Sequence, residues 1–155
     1  MGIEKDIHQY KFVSTHQKSL INLLYTYGWV IEKIKTFLSA EDITHQQFNI
    51  LRILRGSFPE PLSTLQIRER MLDKMSDTSR IVDRLVIKQL VKKTVCPTDK
   101  RLVDITITEK GQKLLKKIDD EGDHVKEVMG NLSEKEAEEL SLLLDKMRNT
   151  DKDFN

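Results

Sequence analysis

The sequence predicts a mainly α-helical protein with one small β-hairpin, a winged helix-turn-helix flanked by long N- and C-terminal helices. Three observations lead there. From Ser76 the chain opens as a helix, with Ile81, Val82, Leu85 and Val86 at the i, i+3, i+4 spacing of one buried stripe. The period then changes: from Val91 to Val95, and again along Val103, Ile105 and Ile107, apolar residues alternate with polar ones, as in half-buried strands. Between those strands lies Pro97-Thr98-Asp99-Lys100-Arg101, with Pro97 and Asp99 as turn formers and two adjacent cations near the tip. A helix followed by a cationic hairpin suits a duplex, the helix entering a major groove and the wing touching neighbouring backbone or minor groove.

The elements follow in order. The first long helix is predicted to begin before Ser14 and end near Ser39, since Leu20, Leu23, Leu24, Tyr27, Val30, Ile31, Ile34, Phe37 and Leu38 keep the 3, 4 spacing. Gly28 interrupts it and permits close approach of another helix. The stripe is wider than one small domain can cover, so part of it is expected to meet a second subunit. Thr44 with Gln47 forms a capping box, and Phe48, Leu51 and Leu54 give that helix its inner face. An irregular loop over 56–61 ends it. Ser63 with Gln66 repeats the capping box and starts a short helix carrying Leu65, Ile67 and Met71. After the wing, Thr108 caps a helix whose apolar side runs from Gly111 through Leu114, Leu115, Ile118, Val125 and Val128 to Met129, bent at Gly122 and stopped at Gly130-Asn131. Ser133 and Glu136 make a third capping box ahead of Ala137, Leu140, Leu143, Leu144 and Met147, and Thr150 to Asn155 are expected to fray.

Composition narrows the function. At 155 residues, 38% hydrophobic and 33% charged, the chain has single-domain length and buries a real core. No apolar run reaches the roughly 18 residues of a membrane span, the N-terminus does not read as a signal peptide, and one cysteine forms no internal disulfide. A cytoplasmic protein without membrane contact is expected. Net charge is only +1, yet residues 62–101 hold ten Lys/Arg against five Asp/Glu, whereas residues 102–155 hold nine against fourteen. Basicity therefore gathers in the segment suspected of meeting phosphates. No nucleophile–base set or phosphate-cradling glycine loop occurs, so no catalytic residues and no cofactor are assigned. Glu121 and His124 have the Glu-x-x-His spacing of di-iron bundles without the second copy such a site needs. No metal site is assigned, although His45 and His124 are candidates for meeting in the fold.

Ser79-Arg80, Asp83-Arg84-Leu85, Lys88-Gln89-Leu90-Val91-Lys92-Lys93, Asp99-Lys100-Arg101 and Ile107-Thr108-Glu109-Lys110-Gly111 occur in the order and spacing of a known pattern. By these the chain resembles the MarR (multiple antibiotic resistance regulator) family of bacterial transcription factors, over roughly residues 8–148. Gln89 stands where that family usually has glycine, and Lys93 where it usually has arginine. The resemblance implies one MarR-type domain over 1–155, with residues 1–40 and 109–155 forming dimerisation helices around a DNA-binding lobe at 44–108. It implies a homodimer on a pseudo-palindromic duplex, acting as a repressor, and a small aromatic effector bound between the lobes.

The residues assigned to DNA follow. Arg80 lies in the first turns of the recognition helix and offers a fork to guanine O6 and N7, with Ser76, Thr78 and Ser79 beside it. Ser76 serves alternatively as the helix N-cap. Arg84 is expected to touch phosphate or to pair with Asp83 or Asp99. Arg101 matches the family's wing arginine, which enters the minor groove, and Lys100 adds a phosphate contact. Asp99 would repel DNA and is assigned a structural role in the turn. Phe12, His16, Tyr25, Trp29, Phe48 and Met71 are candidates for the effector cleft. Cys96 is expected to be an apolar filler in a strand, with oxidant sensing as the alternative. A rival reading is a winged helix that contacts proteins without reading DNA; another is a metal-responsive regulator.

Overall fold

A computed structural model describes residues 2–149, so the expected frayed tail at Thr150 to Asn155 lies outside the described residues. The chain divides into two compact units, residues 1–122 and 123–155. The first contains α1 (Ile3–Asp6), α2 (Thr15–Leu38), a 3-10 turn (Ser39–Glu41), α3 (His45–Ser57), α4 (Thr64–Arg70), α5 (Thr78–Ile87), β1 (Val91–Val95), β2 (Val103–Ile107) and α6 (Glu109–Glu121). The second contains α7 (His124–Met129) and α8 (Glu134–Arg148). No helix among the described residues is long and apolar enough to cross a membrane.

Local chemistry sets most of these boundaries. The Thr44–Gln47 and Ser63–Gln66 capping boxes form, each hydroxyl accepting an N3 amide at 3.1 Å while the glutamine reaches back to the cap amide. Ser133 and Glu136 do the same for α8, and the Thr108 hydroxyl accepts the Gly111 amide of α6 at 3.1 Å. Two expectations need correction. The long helix does not begin before Ser14: the Ser14 hydroxyl caps it by accepting the Gln17 amide, and the separate α1 precedes it. Gly122 ends α6 in extended backbone instead of bending one continuous helix, and Asp123 caps α7 anew.

The core of the first unit is aliphatic. Leu51 and Leu54 of α3, with Ile50, pack with Ile67, Met71, Val82, Leu85, Ile105, Leu115 and Ile118, all essentially closed to solvent. Each contributes roughly 1.5–3 kcal/mol by leaving water. Leu65, carried on α4 with Ile67, points outward and is 62% exposed. The hairpin pairs Val91 with Ile107 and Val95 with Val103 in antiparallel register. Leu62 adds a third element, exchanging backbone hydrogen bonds with Ile105 at 2.9 and 3.0 Å.

The exit from α5 is the tightest junction. Gln89 takes the left-handed conformation, φ 60, that its place after the helix demanded. The Thr108 amide then donates to the Leu90 carbonyl at 3.1 Å, the Thr108 hydroxyl to the Gln89 carbonyl at 2.7 Å, and the Lys110 ammonium to the Lys88 carbonyl at 3.0 Å. Gly111 packs so closely there that a Cβ would sit 2.4 Å from the Leu90 oxygen and 2.7 Å from Ile107. Gly111→Ala is therefore expected to cost about 1–3 kcal/mol, since a backbone carbonyl must shift. Gln89→Gly is expected to gain up to about 1 kcal/mol by relieving the left-handed residue. Denaturant unfolding at one fixed protein concentration measures both; a neutral Gly111→Ala would contradict the packing described.

Candidate nucleic-acid interface

The helix pair α4 and α5 is joined by a connection built on its own hydrogen bonds. The Leu72 amide donates to Asn49 Oδ1 at 3.0 Å, the Met75 amide to Asp73 Oδ1 at 3.0 Å, and the Ser76 amide to the Asp73 carbonyl at 3.3 Å. The Met75 amide holds the Asp73 carboxyl below its ordinary range. The cap of α5 is Asp77, whose Oδ1 accepts the Arg80 amide at 3.2 Å. Ser76, offered as an alternative cap, lies one residue too early. Asp ranks with Ser as an N-cap, so the residue type was readable and its position was not.

The assigned side chains separate on α5. Ser79, Arg80 and Arg84 are exposed and Ser76 is half-buried. Thr78 turns inward, only 4% exposed, and its buried hydroxyl has no hydrogen-bond partner. Arg84 pairs with neither expected acid. Asp83 instead takes Lys93 Nζ at 2.9 Å, which ties α5 to β1, and Asp99 takes Arg101. Lys93 thus forms an ion pair at the position where arginine was expected. Among the described residues neither Arg80 nor Arg84 forms an ion pair, so both guanidinium groups remain available on the outer face.

The wing is held by its own turn. The Cys96 amide donates to the Leu102 carbonyl at 2.9 Å, and the Leu102 amide to the Asp99 carbonyl at 3.0 Å. Asp99 Oδ1 accepts both the backbone amide and Nε of Arg101 at 3.0 Å, and Oδ2 accepts Nη2 at 3.2 Å. This fork fixes the direction of Arg101 while leaving its side chain 90% exposed. The same guanidinium holds the Asp99 carboxyl below the usual carboxylate range. Because the shift is downward, the clamp is present above the ordinary carboxylate pKa and is lost only as pH falls through the depressed value. Lys100 is exposed beside it. Cys96 lies beyond the end of β1 and is partly exposed, so it is not the strand filler expected. Its sulfur sits 3.2 Å from the Thr98 hydroxyl, which lowers the thiol pKa.

The six effector candidates are distributed. Met71 belongs to the core, and Phe48 packs edge-on against Phe37 at 5.8 Å with Arg52 over its ring. Lys18 lies over Phe12 and Lys33 over Trp29, while His16 and Tyr25 face solvent. None of the six lines the open cleft of about 400 Å³ between Thr64, Leu65 and Arg68 of α4 and residues 76–79 at the start of α5. That cleft, with Asp77 in its wall, went unassigned from sequence. Among the described residues no group of three His, Cys, Asp or Glu side chains is placed to hold a metal ion.

Comparison with known proteins supplies the family. Residues 43–103 match the MarR family model, a span that covers α3, α4, α5 and β1 and ends at the first residue of β2. The chain is 28% identical over 139 residues to the HTH-type transcriptional regulator MhqR of Bacillus subtilis (strain 168), covering 89% of this chain and 94% of that protein. A MarR variant from E. coli, solved in complex with operator DNA, superposes with a TM-score of 0.71 at 23% identity over 96% of this chain and 99% of that one, a likeness of fold. The MarR transcription factor of Planctomyces limnophilus is 32% identical, with a TM-score of 0.66 over 87% of this chain and 98% of that one. On these grounds the chain belongs to the MarR family.

Proposed function

We propose that this MarR-family transcriptional regulator acts as a homodimeric repressor that reads a pseudo-palindromic duplex through α5 and the wing. The observation that carries the reading is the outer face of α5 and the hairpin tip. Arg80 and Arg84 are exposed and form no ion pair among the described residues, and Arg101 is held outward by Asp99. Arg80, in the first turn of α5, reads a guanine edge from the major groove, Arg84 meets phosphate, and Ser76 and Ser79 flank them. Arg101 enters the adjacent minor groove, and Lys100 meets the backbone. Release of the DNA by a small aromatic effector belongs to the same proposal, supported by family membership alone.

Dimerisation is supported by apolar faces that the single chain leaves in water. On α2, Leu20, Leu24, Tyr27 and Trp29 are exposed, and on α8, Leu140, Leu143 and Met147 are exposed. Gly28 has open space around it, room for a close helix approach. Large apolar side chains left in water on a helix face mark a protein interface, and two-fold symmetry would set two recognition helices one duplex turn apart. Sedimentation at micromolar concentration is expected to give about twice the 18.1 kDa chain mass. A folded monomer would remove the two-fold operator.

The two arginines are expected to fail differently. Arg80→Ala should cost about 1–3 kcal/mol on the operator and much less on scrambled duplex. Arg101→Ala should weaken binding most where A/T-rich sequence flanks the site, and should flatten the salt dependence by about one unit per subunit. Binding of both variants to both duplexes across a salt series checks this. Equal losses of Arg80→Ala on operator and scrambled DNA would make Arg80 a phosphate clamp, and no loss from either variant would refute the reading.

A further inference from the structure

We propose that Asp77 is a specificity-determining residue: its free carboxylate oxygen accepts a hydrogen bond from the N4 amino group of a cytosine in the major groove. The proposal rests on the reading of α5 as the recognition helix. Asp77 stands immediately before the first residue of α5 and is exposed. Its Oδ1 is used by the Arg80 amide at 3.2 Å, and among the described residues Oδ2 takes no hydrogen bond or ion pair. The residue lies in the wall of the 400 Å³ cleft between α4 and α5, with Arg68 and the Ser79 hydroxyl in the same lining. Thr78 lines that cleft too, 96% removed from solvent, with a hydroxyl that no group among the described residues satisfies.

The chemistry of this lining selects its occupant. A phosphate offers acceptors only and carries negative charge, so it is repelled by Asp77 and has no donor to give Oδ2. A base edge offers donors and acceptors side by side, as the cleft does with a carboxylate, a guanidinium and hydroxyls. In the major groove, the amino group presented by a C·G pair is cytosine N4, and a carboxylate is the side chain suited to it. An acid here also has a discriminating effect of its own. Residues 62–101 carry ten cations against five acids, a surface that attracts any duplex. Asp77 opposes that attraction wherever its oxygen goes unpaired, and so rejects sequences that lack the amino group. Asp77 and Arg80, joined through one helix turn, then read neighbouring positions with opposite polarity, one as acceptor and one as donor.

The experiment selects bound sequences from a randomised duplex library with the full-length wild type, Asp77→Asn and Arg80→Ala. Asparagine caps a helix about as well as aspartate, so Asp77→Asn keeps the start of α5, which an unchanged thermal midpoint verifies. One cytosine per half-site is expected to lose its preference by roughly 5- to 150-fold in Asp77→Asn, or to shift toward adenine, while the Arg80→Ala variant flattens a different position. As a test on the DNA side, replacing that cytosine with pyrimidin-2-one, which lacks the amino group, should weaken wild-type binding by a similar factor. Tighter binding of Asp77→Asn to every duplex with all preferences retained would overturn the proposal and leave the recognition-helix reading standing. If the wild type enriches no sequence at all, the recognition-helix reading falls and the proposal with it.

Discussion

The Leu90 carbonyl, packed where only a glycine at 111 can approach, sets the relation between α5, the hairpin and α6. A Cβ at Gly111 would meet that oxygen at 2.4 Å, and the Thr108 amide donates to the same oxygen at 3.1 Å. Gln89 makes the turn by entering left-handed space, and Lys88 and Gln89 give their carbonyls to Lys110 and Thr108. Lys93 then reaches back to Asp83 on α5. With three backbone carbonyls and one ion pair fixed, the angle between helix and wing does not depend on a flexible loop. A rigid frame matters because recognition needs base-reading side chains held to within about 0.5 Å.

Much of this fold was legible because its signals are local. The three capping boxes, the Thr108 cap and the two strands depend on residues three apart or on strict alternation, and each formed where its spacing placed it. Gln89, where the resembled family usually has glycine, takes the left-handed conformation that glycine adopts freely. What escaped required packing partners. Leu65 and Ile67 are both apolar on a seven-residue helix, and only the position of α3 and β2 decides that Ile67 goes in and Leu65 out. Thr78 reads as a surface hydroxyl and is buried, because the first turn of α5 lies against the core. Gly122 reads equally as a bend or a stop.

The candidate site divides along the same line. Arg80, Arg84, Lys100 and Arg101 were found by residue type and place in a motif, and all four are exposed. Asp99 was assigned to the turn by elimination, and its bidentate hold on Arg101 gives that role a geometry. Asp77 is not singled out by sequence, because acids near DNA count as liabilities in a charge tally. Its use as a helix cap, with one oxygen left over, appears only in three dimensions. The six effector candidates rest on the family resemblance; of these, Met71 belongs to the core and His16 and Tyr25 face solvent.

The central claim is that a rigid helix and wing read a two-fold duplex from both grooves. Dimethyl sulfate footprinting of the bound operator tests it in one experiment, because the reagent reports guanine N7 in the major groove and adenine N3 in the minor groove. The account predicts two clusters of protected guanines about 10 base pairs apart, one for each recognition helix, with protected adenines beside each cluster where Arg101 enters. Protection confined to one groove, or guanine clusters without that one-turn spacing, would contradict it.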